Sequence, residues 1–137
     1  LDELRYHPDV EVKMEATLRR SQMAADEGDW DGAIRALDPR SAVELGPAWD
    51  ASATQARTRA LVGAGDTAGA YAAWRALAAR WPNEEEAILP AWIALAQLAL
   101  DQGEKSTAHH WARKAFKEAR DPGYKNQAQV IVDALDD

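Results

Sequence analysis

The 137-residue chain is long enough to bury a core of its own, and 47% hydrophobic with 28% charged residues sets it apart from disordered segments. A net charge of −7 weighs against a nucleic-acid backbone or an anionic membrane surface as ligand. The absence of cysteine excludes disulfides and thiolate metal sites, and no apolar run reaches the roughly 18–20 residues that a membrane-spanning helix needs.

Alanine is the commonest residue and β-branched residues are few, which favours helices over sheet. Leu1 to Pro8 reads as a lead-in. Asp9 can cap a helix from Val10, with Val10, Met14, Leu18 and Ala25 on one side at helical spacing. Gly28-Asp29 ends that helix, and Asp29 or Asp31 caps a short second one through Ala33, Ile34 and Leu37. Pro39 cannot sit inside a helix, so Asp38-Pro39 opens a new turn that runs from Ser41 to Leu45 and stops at Gly46-Pro47.

Further on, a helix is expected from about Ala48 to Val62, with its partner from Thr67 or Ala68 to about Arg80. Trp81 stands before Pro82, where the chain leaves the helical region, and the acids of Glu84 to Glu86 suit the start of the next helix. Pro90, Trp92, Ile93, Leu95, Ala96, Leu98, Ala99 and Leu100 make that helix apolar nearly all round, so it should be buried on two sides. Its partner runs from Ser106 or Thr107 to about Ala119, with Trp111, Ala112, Ala115 and Phe116 inward. After the Asp121-Pro122-Gly123 turn, a last amphipathic helix carries Tyr124, Ala128, Ile131 and Leu135 on one face.

One feature returns three times. Gly28, Gly65 and Gly103 are each followed by an acid, and by alanine five residues on at Ala33, Ala70 and Ala108, at spacings of 37 and 38 residues. A helix-turn-helix unit at that period marks an α-solenoid, in which no unit buries its apolar face alone. The expected architecture is therefore all-α: an α-α superhelix of about three helix pairs at roughly 10–45, 47–82 and 87–121 and a capping helix at about 124–135, together one domain spanning 1–137.

The aligned units resemble tetratricopeptide repeats. Besides the Gly-acid turn and the early alanine, small first-helix residues fall at Ser21, Thr58 and Ala96. Trp92 takes the family's leading tryptophan slot, Trp30 its turn aromatic, Ala115 its later alanine and Pro82 its closing proline. The period exceeds the family's usual 34 residues, and Arg20 and Arg57 stand where leucine is usual. The aromatic-plus-proline connection is similar to the looser repeats of bacterial cell-envelope scaffolds. The resemblance implies a right-handed solenoid and a non-catalytic scaffold that binds a peptide or protein segment on its concave surface.

In such a stack the first helices line the hollow. Gln22, Gln55 with Arg59, and Gln97 then form a ladder of long hydrogen-bonding side chains there, fit for a peptide backbone or a carboxylate. Trp49 and Trp81, at helix ends beside prolines, are further contact candidates, whereas Trp74, Trp92 and Trp111 read as core. The alternative is an accessory or homodimerising domain of a larger enzyme or regulator. A metal or acid–base role for His109 and His110 is a distant third, because adjacent helical residues point about 100° apart and no second ligand follows at helical spacing. No phosphate loop or nucleophile motif is present, so no catalysis and no cofactor are expected. The chain begins at Leu1, which leaves a presequence, a neighbouring domain and the compartment (periplasm, cell envelope or cytoplasm) all open.

Overall fold

The computed structural model describes residues 8–136, and among them every regular element is an α-helix. They are α1 (Pro8–Asp26), α2 (Trp30–Arg35), α3 (Pro39–Leu45), α4 (Pro47–Gly63), α5 (Thr67–Arg80), α6 (Glu85–Asp101), α7 (Lys105–Glu118) and α8 (Pro122–Asp136). None is long and apolar enough to cross a membrane. The lead-in read at Leu1 to Pro8 falls outside the described residues except for Pro8, which opens α1. Asp9 thus lies inside the first turn of α1, where a carboxylate complements the helix dipole, and is not its cap.

The three glycine turns close in one way. Gly28, Gly65 and Gly103 adopt φ of 78°, 87° and 75°, the left-handed region that glycine enters without a side-chain clash. In each, the amide after the glycine donates back five residues: Asp29 to Ala24, Asp66 to Leu61 and Glu104 to Ala99. The glycine amide itself donates to Ala25, Val62 or Leu100. This paired closure satisfies carbonyls that a helix end otherwise leaves bare. The acid then starts the next helix. Asp29 and Asp66 accept from the amides of Gly32 and Gly69, and each carboxylate occupies the space a Cβ on that glycine would need. Glu104 makes no such cap; its position-matched neighbour is Thr107.

The irregular stretch after Leu37 follows from proline. Pro39 opens α3, and Asp38 caps it by accepting from both the amide and the hydroxyl of Ser41. Those two hydrogen bonds hold the Asp38 carboxyl below its ordinary pKa of about 3.8. A depressed carboxylate pKa adds stability above the unfolded value and loses it as pH falls through the folded one. Asp38→Ala should therefore cost about 1 kcal/mol at neutral pH. In thermal melts that deficit should shrink below pH 4, and Asp38→Asn should retain most of the cap without the pH dependence.

The chain forms two compact units, divided within α5 between Ala73 and Trp74. In the first, Met14, Ala42 and Ala53 form one cluster with Leu18, Leu45 and Trp49 around it. Ala25, Ala33 and Ala60 form another with Trp30 and Ile34. Early α1 thus meets early α4, and late α1 meets late α4, so these helices run parallel. Between them α3 and α2 together take the place of one antiparallel helix, interrupted at Asp38-Pro39. Gly63 admits the Trp30 ring: a Cβ there would lie 2.7 Å from ring carbons.

The second unit repeats this up-down-up order. Ile88 and Leu89 of α6 meet Ala115 and Ala119 of α7 and Ala128 of α8. Further along α6, Ala96 meets Ala112 and Ile131. Hence α7 runs antiparallel to α6, and α8 runs parallel to it. Helix α6 buries eight residues, from Ala87 and Ile88 to Leu98 and Ala99, over more than half of its circumference, and leaves a side with Glu86, Gln97 and Asp101 exposed. Phe116 departs from expectation: it is exposed, with the Lys125 ammonium 5.3 Å from its ring. Trp92 and Trp111 are only half-buried, sharing the Lys114 ammonium at 4.9 and 5.7 Å, whereas Trp74 is fully enclosed.

The small residues at matched positions are all buried. Ala33, Ala70 and Ala108 have no exposed surface, and neither does Ala96. Ser21 and Thr58 are buried too, with hydroxyls that make no hydrogen bond. A buried unpaired hydroxyl is a net cost. Ser21→Ala should thus raise stability by about 1 kcal/mol in a denaturant titration, and a clear loss would mean that the hydroxyl has a partner.

Candidate functional site

The ladder residues are presented to solvent by helices whose inner faces are fixed by alanine. On α1, Gln22 and Asp26 are exposed one turn apart, between buried Ser21 and Ala25. On α4, Gln55 and Arg59 are likewise exposed, flanked by buried Thr54, Thr58 and Ala60. Because α1 and α4 are parallel neighbours, the two stripes run in one direction. A hydrogen-bonded ion pair joins them: Arg59 Nη2 donates to Asp26 Oδ1, 33 residues away in the chain. Both side chains are largely exposed, at 46% and 64%, so this pair contributes little to stability and mainly sets the orientation of Arg59.

In the second unit, Gln97 is exposed on α6 and donates through Nε2 to Asp101 Oδ1 at 2.9 Å. On the parallel helix α8, Gln129 donates in the same way to Asp133 at 2.6 Å. Each of these two glutamines thus has its NH2 group turned onto a carboxylate one turn later, and its carbonyl remains an acceptor. The stripe is richer in acceptors than the glutamines alone suggest. Sequence reasoning passed over Asp26, Asp101 and Asp133. The signal was present, as an acid four residues after a glutamine at 22/26, 97/101 and 129/133.

The two tryptophan candidates are half-buried. Trp49 packs on the cluster of Met14, Ala42 and Ala53, so its ring is largely committed to the core. Trp81 directly follows α5, its amide donating to the Leu77 carbonyl and its carbonyl accepting from the Glu84 amide. Gln22, Gln55, Arg59 and Trp49 belong to the first unit, and Trp81 and Gln97 to the second.

His109 is half-buried beside a cavity of about 320 Å³ that Lys105, Ser106 and Leu135 also line, with no carboxylate among them. His110 is exposed and meets the Trp111 ring edge-on, centroids 5.0 Å apart. Among the described residues, no three His, Asp or Glu side chains come together in a way that could hold a metal ion. The chain matches no protein-family model and no curated protein sequence.

Proposed function

We propose that the chain is a non-catalytic interaction scaffold built of tetratricopeptide-like helix pairs. In this reading α1, α4 and α6 are the first helices of three pairs in a right-handed α-solenoid, and α8 is its cap. A peptide or protein segment binds along the first helices, donating hydrogen bonds to the exposed Gln and Asp side chains. The observation that carries this reading is the parallel stacking of α1 on α4, with Gln22-Asp26 beside Gln55-Arg59. Further support comes from the three turns of one hydrogen-bond pattern, each placing a buried alanine at the same point of the following helix.

The acidic stripe favours a donor-rich, basic segment over an acidic one, since like charges across an interface are strongly disfavoured. A peptide-array screen tests this. Basic segments should bind above scrambled controls, and Asp26→Asn should weaken them several-fold, while Arg59→Ala, which removes a like charge and frees the Asp26 carboxylate, should strengthen them. An array with no sequence-dependent binding would overturn the reading.

Self-association through α1 is a second reading. Val12 and Met23 are 64% and 63% exposed, three turns apart on one side of that helix. A sedimentation series at micromolar concentration decides it. A dimer that Met23→Glu dissociates would favour this reading, and a monomer throughout would remove it.

A further inference from the structure

A pocket of about 330 Å³ opens in the second unit, where the start of α6 faces the end of α7. Its floor is apolar, made by Ile88, Leu89 and Trp92, and Glu85, Glu118 and Arg120 stand around it. We propose that this pocket takes one arginine or lysine side chain of a bound protein segment. The aliphatic stem would lie on Ile88, Leu89 and Trp92, and the cationic head between the carboxylates of Glu85 and Glu118. The proposal rests on the scaffold reading and adds an anchoring point at the opposite end of α6 from Gln97.

Three observations support a cation as the occupant. First, acids prevail at this end of the unit. Glu85 and Glu118 outnumber Arg120 in the pocket itself, and Glu86 and Asp121 lie in the neighbouring turns. Second, Tyr124, which packs on the cluster containing Ile88 and Leu89, reports that field. Its hydroxyl pKa is raised first by burial and then by Asp121, Glu85 and Glu86. Third, Glu85 is held in place. Its Oε1 accepts from the Asp121 amide at 3.2 Å, which braces the start of α6 against the turn before α8. Glu118 makes no hydrogen bond or ion pair among the described residues, so its carboxylate is available to a ligand.

An apolar floor beneath paired carboxylates suits the mixed character of a long basic side chain, whose stem packs while its head stays charged. The Trp92 ring already carries the Lys114 ammonium 4.9 Å from its centroid. The incoming head is therefore assigned to the carboxylates. Arg120 is a like charge within the same pocket, and it gives the proposal a second variant whose effect has the opposite sign.

The test is a ¹⁵N NMR titration of the full chain with an acetylated, amidated Gly-Leu-Arg-Leu-Gly peptide, alongside the same peptide with glutamate in place of arginine. The arginine peptide should shift the Trp92 indole signal, assigned with Trp92→Phe, together with the Glu85, Ile88 and Glu118 amides. The glutamate peptide should leave them unmoved. Glu118→Gln should weaken binding about threefold, and Arg120→Gln should strengthen it by a similar factor. A Trp92 signal that stays still, an equal response to both peptides, or affinities indifferent to both variants would each overturn the proposal. Array-selected segments that move Gln22 and Gln55 but not Trp92 would remove the pocket and keep the scaffold. Segments that move neither would remove both.

Discussion

Leu89→Ala should remove about 4 kcal/mol, toward the upper end of the 2–5 kcal/mol range for such truncations. Leu89 is 1% exposed, within a cluster of Ile88, Ala115, Ala119 and Ala128 that joins α6, α7 and α8. The cost of a truncation depends on how far its surroundings can collapse; three of the four buried neighbours are alanines with no rotamers to move, and the larger Trp92, Ile93 and Tyr124 pack only at the edge of the cluster. The cavity left behind should stay open, so the transfer and cavity terms add. A urea titration followed by circular dichroism reads the effect. A loss below about 1.5 kcal/mol would mean that the helices close over the gap, contrary to a packing fixed by backbone approach.

Ala96→Leu is the complementary change, and a loss of about 3 kcal/mol is expected from overpacking. Ala96 has no exposed surface and lies against Ala112 of α7 and Ile131 of α8. A leucine there must either push α6 and α7 apart or force its neighbours off their rotamers. Ser21 and Ala96 hold matched places in their units, and at both the account requires a small side chain without a polar demand. Shrinking the first should stabilise and enlarging the second should destabilise. Thermal melts measure both, at roughly 4 °C per kcal/mol for a chain of this size.

Local chemistry made much of the fold readable. The Gly-acid pairs at 28, 65 and 103 announce turns because a helix end needs a left-handed residue, and glycine supplies it without strain. Asp38-Pro39 announces α3 for an equally local reason: proline lacks the amide that a first turn does not use, and aspartate caps. Less was readable where the deciding contact lies far along the chain. That Arg59 turns onto Asp26 depends on α1 and α4 running side by side, which no spacing within either helix reveals. Periodicity places Phe116 beside Ala112 and Ala115, but those alanines line the contact and the larger ring turns out to Lys125. The candidate stripe stands between these cases. Its glutamines were visible at matched positions and so was an acid four residues after Gln22 and Gln97, but the hydrogen bond from Gln97 to Asp101 became evident only with the side chains in place.

The most direct test of the account is to follow the side-chain amide signals of Gln22, Gln55 and Gln97 in ¹⁵N spectra while a basic, array-selected peptide is added. All three should shift together, with one dissociation constant, and Asp26→Asn should weaken the binding. Saturable binding that leaves these three signals in place while others move would contradict it.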